Sequence, residues 1–144
     1  MNIAEVQISY STKVPASDRL QVKCSSDSAK ALRTFYPPME HREYFYLMLL
    51  NRANKVLGYY QVSSGGITGT VVDPKLVFQA ALKANACALI LAHNHPSGQL
   101  TPSQADIDLT KKLKTAGGFL DIQVLDHVII TEDSYFSFAD DGLM

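Results

Sequence analysis

Apolar positions along the chain change period several times, and each change marks an element. In "AEVQISY" (residues 4–10), Val6, Ile8 and Tyr10 alternate onto one face, which predicts a first strand. "CSSDSAKALRTFYPP" (24–38) switches to helical spacing. Ser25 or Ser26 serves as its cap, Leu32, Phe35 and Tyr36 form its stripe, and Pro37 and Pro38 stop it. Tyr44–Leu50 and Val56–Val62 are rich in aromatic and aliphatic residues. With "NRAN" between them they predict a hairpin. "SSGGITGT" (63–70) holds too many glycines for a regular element and reads as a loop. A helix follows, with Asp73 as N-cap, Pro74 as first residue, and Val77, Ala80, Ala81 and Ala84 on one side.

"ACALILA" (86–92) has no polar break, the pattern of a strand covered on both faces. The next helix starts at Thr101-Pro102-Ser103-Gln104, where T-x-x-Q predicts a Thr101/Gln104 capping box. It runs to about Thr115 and is ended by Gly117-Gly118. "LDIQVLDHVIIT" and "SYFSFA" complete the set as strands. The order predicts an α/β fold, a mixed β-sheet flanked by helices.

The length of 144 residues suits a single domain spanning 1–144, with 1–38 as a less regular N-terminal extension. Hydrophobic residues make up 47% and charged residues 19%, which excludes a disordered chain. The net charge of −1, with no basic run, gives nucleic acid no obvious footprint. Cys24 and Cys87 lack metal or redox spacing and suit a reducing, cytoplasmic setting. No signal peptide or membrane-length apolar run is evident.

The chemistry concentrates in "LAHNHPSGQLTPSQAD" (91–106). His93 and His95, at i and i+2 past a buried strand, point to the same side. Ser103 and Asp106, at i and i+3 in the first turns of a helix, share a face. If the "PSGQL" loop folds that face back, two imidazoles and one carboxylate reach a common point with a fourth position open. That is the arrangement of catalytic zinc. A hydrolase built there needs a donor for the developing oxyanion, a role open to the Ser103 hydroxyl, and a general base. Glu43, at the head of "YFYLMLL", is the chosen base, with Glu40 as near competitor. His127 is read chiefly as a structural histidine at a strand kink. The alternative is a partner behind a ligand histidine, with Asp126 beside it. His41 reads as a solvated loop residue. The letters "HNH" carry no nuclease signal, because that motif spreads its residues over a longer unit.

The spacing His-x-His, seven residues, Ser, two residues, Asp resembles the JAMM (MPN+) metalloprotease motif. With "ALKANACALILAHNHPSG", "PSQAD" and "LDIQVLDHVII", the chain looks like the RadC branch of that superfamily from about Glu43 to Leu143. The resemblance implies the JAB/MPN fold, similar to cytidine deaminases. It implies His93, His95 and Asp106 as ligands of Zn2+, Ser103 as the oxyanion-stabilising hydroxyl and Glu43 as the family's upstream glutamate. The function it implies is zinc-dependent hydrolysis of an amide or isopeptide bond in a peptide-type substrate. A DNA-repair or recombination accessory role, with a structural or vestigial metal, is the alternative. DNA enters only through the family label. Longer RadC-like proteins carry a helix-hairpin-helix region ahead of this domain, and this chain resembles the short form without it. Deaminase chemistry lacks its P-C-x-x-C element here.

Overall fold

The computed structural model describes residues 1–66 and 70–144. Its elements are a 3-10 turn (Ala16–Asp18), α1 (Ser25–Arg33), β1 (Tyr44–Leu50), β2 (Val56–Ser64), α2 (Pro74–Lys83), β3 (Ala88–His93), α3 (Gln104–Phe119), β4 (Gln123–Ile130) and β5 (Tyr135–Ser137). One sheet runs β2-β1-β3-β4-β5. Among the described residues only the β3–β4 pair is parallel, with α3 as its crossover, so the sheet is mixed as the sequence predicts.

Alternation inside the buried strands divides the core in two. Phe45, Leu47 and Leu49 of β1 join Leu89 and Leu91 of β3 against Val77, Phe78 and Ala81 of α2 and Leu113 of α3. The intervening Met48, Leu50, Ala88, Ile90 and Ala92 face Ala29, Ala31 and Leu32 of α1. Both faces are therefore covered, which is why β3 contains no polar break.

β4 breaks the simple alternation. Leu89 pairs with Val124, but Ile90 pairs with Asp126, so Leu125 is an extra residue in the ladder. Val124 lies in the α2/α3 core and Val128 in the α1 core. The bulge reverses the facing of every later residue and turns His127 toward α3.

Several local expectations need correction. Ala4–Tyr10 is not a strand: among the described residues no sheet edge pairs with it, and Val6 and Ile8 are 83% and 74% exposed. Alternation supplies a face, but a strand also needs a ladder partner. The segment's side-chain tie is a bond from the Tyr10 hydroxyl to the Leu57 carbonyl (2.8 Å). The α1 cap is Cys24, with no side-chain bond, rather than Ser25 or Ser26. Phe35 and Tyr36 lie past the helix end at Arg33. Ser63 and Ser64 extend β2 instead of opening the loop; residues 67–69 of "SSGGITGT" lie outside the described residues. Asp73 caps α2 as predicted, accepting from the Lys75 amide at 2.9 Å.

In α3 the cap is Ser103, paired with Asp106, and not the Thr101/Gln104 pair. The helix also runs through Gly117 and Gly118 to Phe119. Gly117 is needed because a Cβ there would sit 2.3 Å from the Ile122 carbonyl oxygen, where the chain turns back into β4. The left-handed position that a terminal glycine usually takes falls to Asp121, with φ 54°.

Candidate metal centre

Because β1 is antiparallel to β3, its start lies at the C-terminal end of β3, and Phe45 pairs with His93. The N-terminus of α3 reaches the same end. Glu43, His93, His95 and Asp106 thus arrive from three elements at the crevice outside the sheet, where α/β folds commonly place their sites.

His93 is the last residue of β3 and is buried, with its ring stacked at 5.9 Å on Phe45. A turn from His95 to Gly98 follows. It is closed by the Gly98 amide on the His95 carbonyl (2.8 Å), with Pro96 second and Gly98 at φ 79°. The turn brings the Gln99 carbonyl back to His95 Nδ1 (2.9 Å). A carbonyl only accepts, so Nδ1 carries the proton and the neutral ring leaves Nε2 bare.

The capping box fixes Asp106. Ser103 Oγ accepts from the Asp106 amide (3.0 Å), and Asp106 Oδ2 accepts from the Ser103 amide (2.9 Å). A carboxylate in the first turn is also favoured by the helix dipole. The same Oδ2 lies 3.4 Å from His93 Nε2 and 3.5 Å from His95 Nε2, and the two Nε2 atoms are 2.9 Å apart. Ligands held tetrahedrally at ~2.0–2.1 Å from zinc stand roughly 3.3–3.4 Å from each other. The three atoms therefore form a triangle of about the right size for one such ion. Two imidazole nitrogens and a carboxylate oxygen this close repel unless a cation lies among them. The donor set fits a metal.

Glu43 is buried, and Oε1 lies 3.9 Å from His93 Nε2. Glu43, His93 and His95 can each offer one ligand atom within 4.8 Å of the others. Asp106 is closer to both rings than Glu43 is to His93. Glu40, the competing base, is exposed, as is His41.

The electrostatics follow from burial and neighbours. Burial raises the Glu43 carboxyl above its ordinary value, against the opposing pull of His93 and His95. Burial acts the same way on Asp106, but the imidazoles of His93 and His95 beside it prevail and hold it well below the carboxylate range. The Asp106 carboxylate beside it raises His95, since a proton gained on Nε2 would be shared with that carboxylate.

Two residues without an assigned catalytic part turn out to organise the site. Asn94, fully buried between the histidines, accepts on Oδ1 from the Tyr44 amide (2.8 Å) and the Tyr36 hydroxyl (3.1 Å). It donates from Nδ2 to the carbonyls of Met39 (2.9 Å) and Arg42 (3.0 Å). It thereby clamps the segment that carries Glu43. The sequence signal was its place one residue out of phase with two site residues, on the opposite face of an extended chain. The second residue is His127, whose Nε2 lies 2.7 Å from His93 Nδ1. It sits just past the bulge, as a kink histidine would, yet its contact is with a site residue. The purely structural reading is corrected to that extent.

A family model described as "RadC-like JAB domain" matches residues 22–143, and the chain belongs to that family. It is 50% identical over 131 residues to a UPF0758 protein of Flavobacterium johnsoniae, covering 89% of this chain and 57% of that one. A UPF0758 protein of Geotalea uraniireducens is 47% identical over 106 residues, covering 73% and 46%. One from Porphyromonas gingivalis is 38% identical over 137 residues, covering 93% and 60%. The chain thus spans about half the length of these relatives. Among the described residues, no helix is long and apolar enough to cross a membrane.

Proposed function

We propose that this chain is a zinc-dependent hydrolase of amide or isopeptide bonds, with His93, His95 and Asp106 as ligands. The observation that carries the reading is the triangle of His93 Nε2, His95 Nε2 and Asp106 Oδ2, with edges of 2.9, 3.4 and 3.5 Å. Two nitrogens and one carboxylate oxygen are a zinc-type donor set that leaves a corner open. When bound, zinc supplies a Lewis acid that brings the ionisation of water from 15.7 to about 7.

The remaining steps belong to the chain. Glu43, with Oε1 3.9 Å from His93 Nε2, takes a proton from the attacking water and returns it to the leaving nitrogen. Its partial burial makes it a stronger base than an exposed carboxylate. Ser103 Oγ already accepts from the Asp106 amide, so its own proton is free to be donated to the developing oxyanion. The substrate class is an extended peptide or isopeptide. A DNA-associated role gains nothing from a net charge of −1.

Metal analysis of protein purified without added metal tests the ligand set, with close to one zinc per chain expected and none after both histidines are replaced. Glu43→Gln separates chemistry from binding. It keeps the zinc and loses turnover of amide substrates by about 10²–10⁴-fold, the usual contribution of a positioned general base. No stoichiometric metal, or turnover unchanged in Glu43→Gln, overturns the reading.

A further inference from the structure

His127 is fully buried, stacked on Phe138 at 4.5 Å and edge-on to Phe45 at 5.5 Å. Both of its nitrogens nevertheless have polar partners. Nε2 faces His93 Nδ1 at 2.7 Å, and Nδ1 faces Thr110 Oγ1 at 2.6 Å. Thr110, on the buried side of α3, also places Oγ1 2.7 Å from the carbonyl oxygen of Asp106.

These distances assign the protons. A carbonyl oxygen has none to give, and two oxygens at 2.7 Å repel without a proton between them. The Thr110 hydroxyl proton is therefore committed to the Asp106 carbonyl. The same hydroxyl oxygen must then accept from His127, so His127 Nδ1 carries a hydrogen. Between aromatic walls and with no carboxylate on either nitrogen, the ring is neutral and Nε2 holds a lone pair. That lone pair accepts from His93 Nδ1–H. His93 is left with a bare Nε2 aimed at His95 and Asp106. The opposite polarity requires Thr110 to donate to His127. It would put the His93 proton on Nε2, where it would block coordination.

We infer that Thr110 and His127 are positioning residues: through a one-directional chain of hydrogen bonds they hold His93 in the tautomer whose Nε2 is free to bind metal. The inference builds on the metal site proposed above. The bulge at Leu125 is what makes the chain possible, because an unbroken strand would send residue 127 to the α1 face. Thr110 also joins both halves of the site, since its proton ends on the backbone of a second ligand residue, Asp106.

Long-range proton–nitrogen correlation spectra of metal-free protein read the tautomers directly. The expected result is a protonated Nδ1 and an unprotonated Nε2 on His93, with a protonated Nδ1 on His127. Zinc affinity, measured by chelator competition, is expected to fall about 10–100-fold in Thr110→Val, as when other orienting partners of metal ligands are lost. Thr110→Ser, which keeps the hydroxyl, restores it. A His93 protonated on Nε2 in the wild type overturns the inference. So does equal zinc affinity in wild type, Thr110→Val and Thr110→Ser. If Thr110→Val does not fold, the wild-type spectrum decides. If the wild type binds no zinc, the hydrolase reading fails, and the tautomer spectrum still decides this one.

Discussion

Asn94 Oδ1 accepts the backbone N–H of Tyr44 at 2.8 Å, which ties the residue between the two site histidines to the residue beside Glu43. The triangle of ligand atoms at the end of β3 and Glu43 at the start of β1 are thereby tied together by one side chain. Asn94→Ala leaves the carbonyls of Met39 and Arg42 and the amide of Tyr44 short of a buried partner. Each such loss costs about 1–3 kcal/mol, reduced where water can enter, so a loss of roughly 2–4 kcal/mol is expected by urea unfolding. Zinc content should survive in the folded fraction while turnover falls, because Glu43 loses its anchor and the ligands do not.

Metal should stabilise the fold measurably. Its absence leaves the electron-rich atoms of His93, His95 and Asp106 facing one another. At a free zinc concentration 100 times Kd, binding contributes about 2.7 kcal/mol. For a chain of this size that is a rise of roughly 5–10 °C in Tm. Thermal unfolding with zinc and with chelator checks it, and a midpoint unmoved by zinc contradicts it.

Asp126 gives a pH signature away from the ligands. Burial raises its carboxyl above the ordinary 3.8, against bonds from the Ser137 hydroxyl and the amides of Ala139 and His127. The folded state therefore keeps this proton to higher pH than the unfolded chain does. The resulting stabilisation is complete below the unfolded value and disappears as pH rises through the folded one. At neutral pH the buried charge is a cost that asparagine does not carry. Asp126→Asn still accepts from the two amides, and Ser137 can turn to accept from it. Its stability relative to wild type should rise from about pH 4 upward and then level off. Parallel urea midpoints for the two proteins between pH 4 and 7 would refute this.

Two adjacent glycines should respond in opposite ways. A Cβ on Gly117 meets the Ile122 carbonyl oxygen at 2.3 Å, while one on Gly118 meets nothing within 4 Å. Both lie inside α3. Gly118→Ala should stabilise by about 0.5–1 kcal/mol through helix propensity. Gly117→Ala should destabilise by about 1–3 kcal/mol, as overpacking does. Unfolding curves of the two single variants make the comparison.

The sheet, its mixed character and the approach of His93, His95 and Asp106 were legible because each leaves a short-range mark. Those marks are continuous apolar runs, an i,i+2 pair and a Ser-x-x-Asp start. The α3 cap differs because Thr101-x-x-Gln104 and Ser103-x-x-Asp106 share capping-box spacing, and only the folded helix start distinguishes them. Gly117 and Gly118 read as a terminator, since their local chemistry is that of a helix end. Their use in a close approach to Ile122 appears only in three dimensions. Val6, Ile8 and Tyr10 had the right alternation, but the absence of a pairing edge is a tertiary fact. The bulge at Leu125 leaves no mark in "QVLDHVII", and with it the contact between His127 and His93 was hidden.

That single supernumerary residue has a consequence for how variation in β4 should be interpreted. Removing Leu125 would take out the one unpaired position, so Val124, Asp126, His127 and Val128 could keep their present partners on β3 in an unbroken ladder, each on its present side. The imidazole that backs His93 would still arrive opposite Leu91, and Val128 would still arrive opposite Ala92. A one-codon deletion there is thus expected to harm the centre less than replacement of His127 itself.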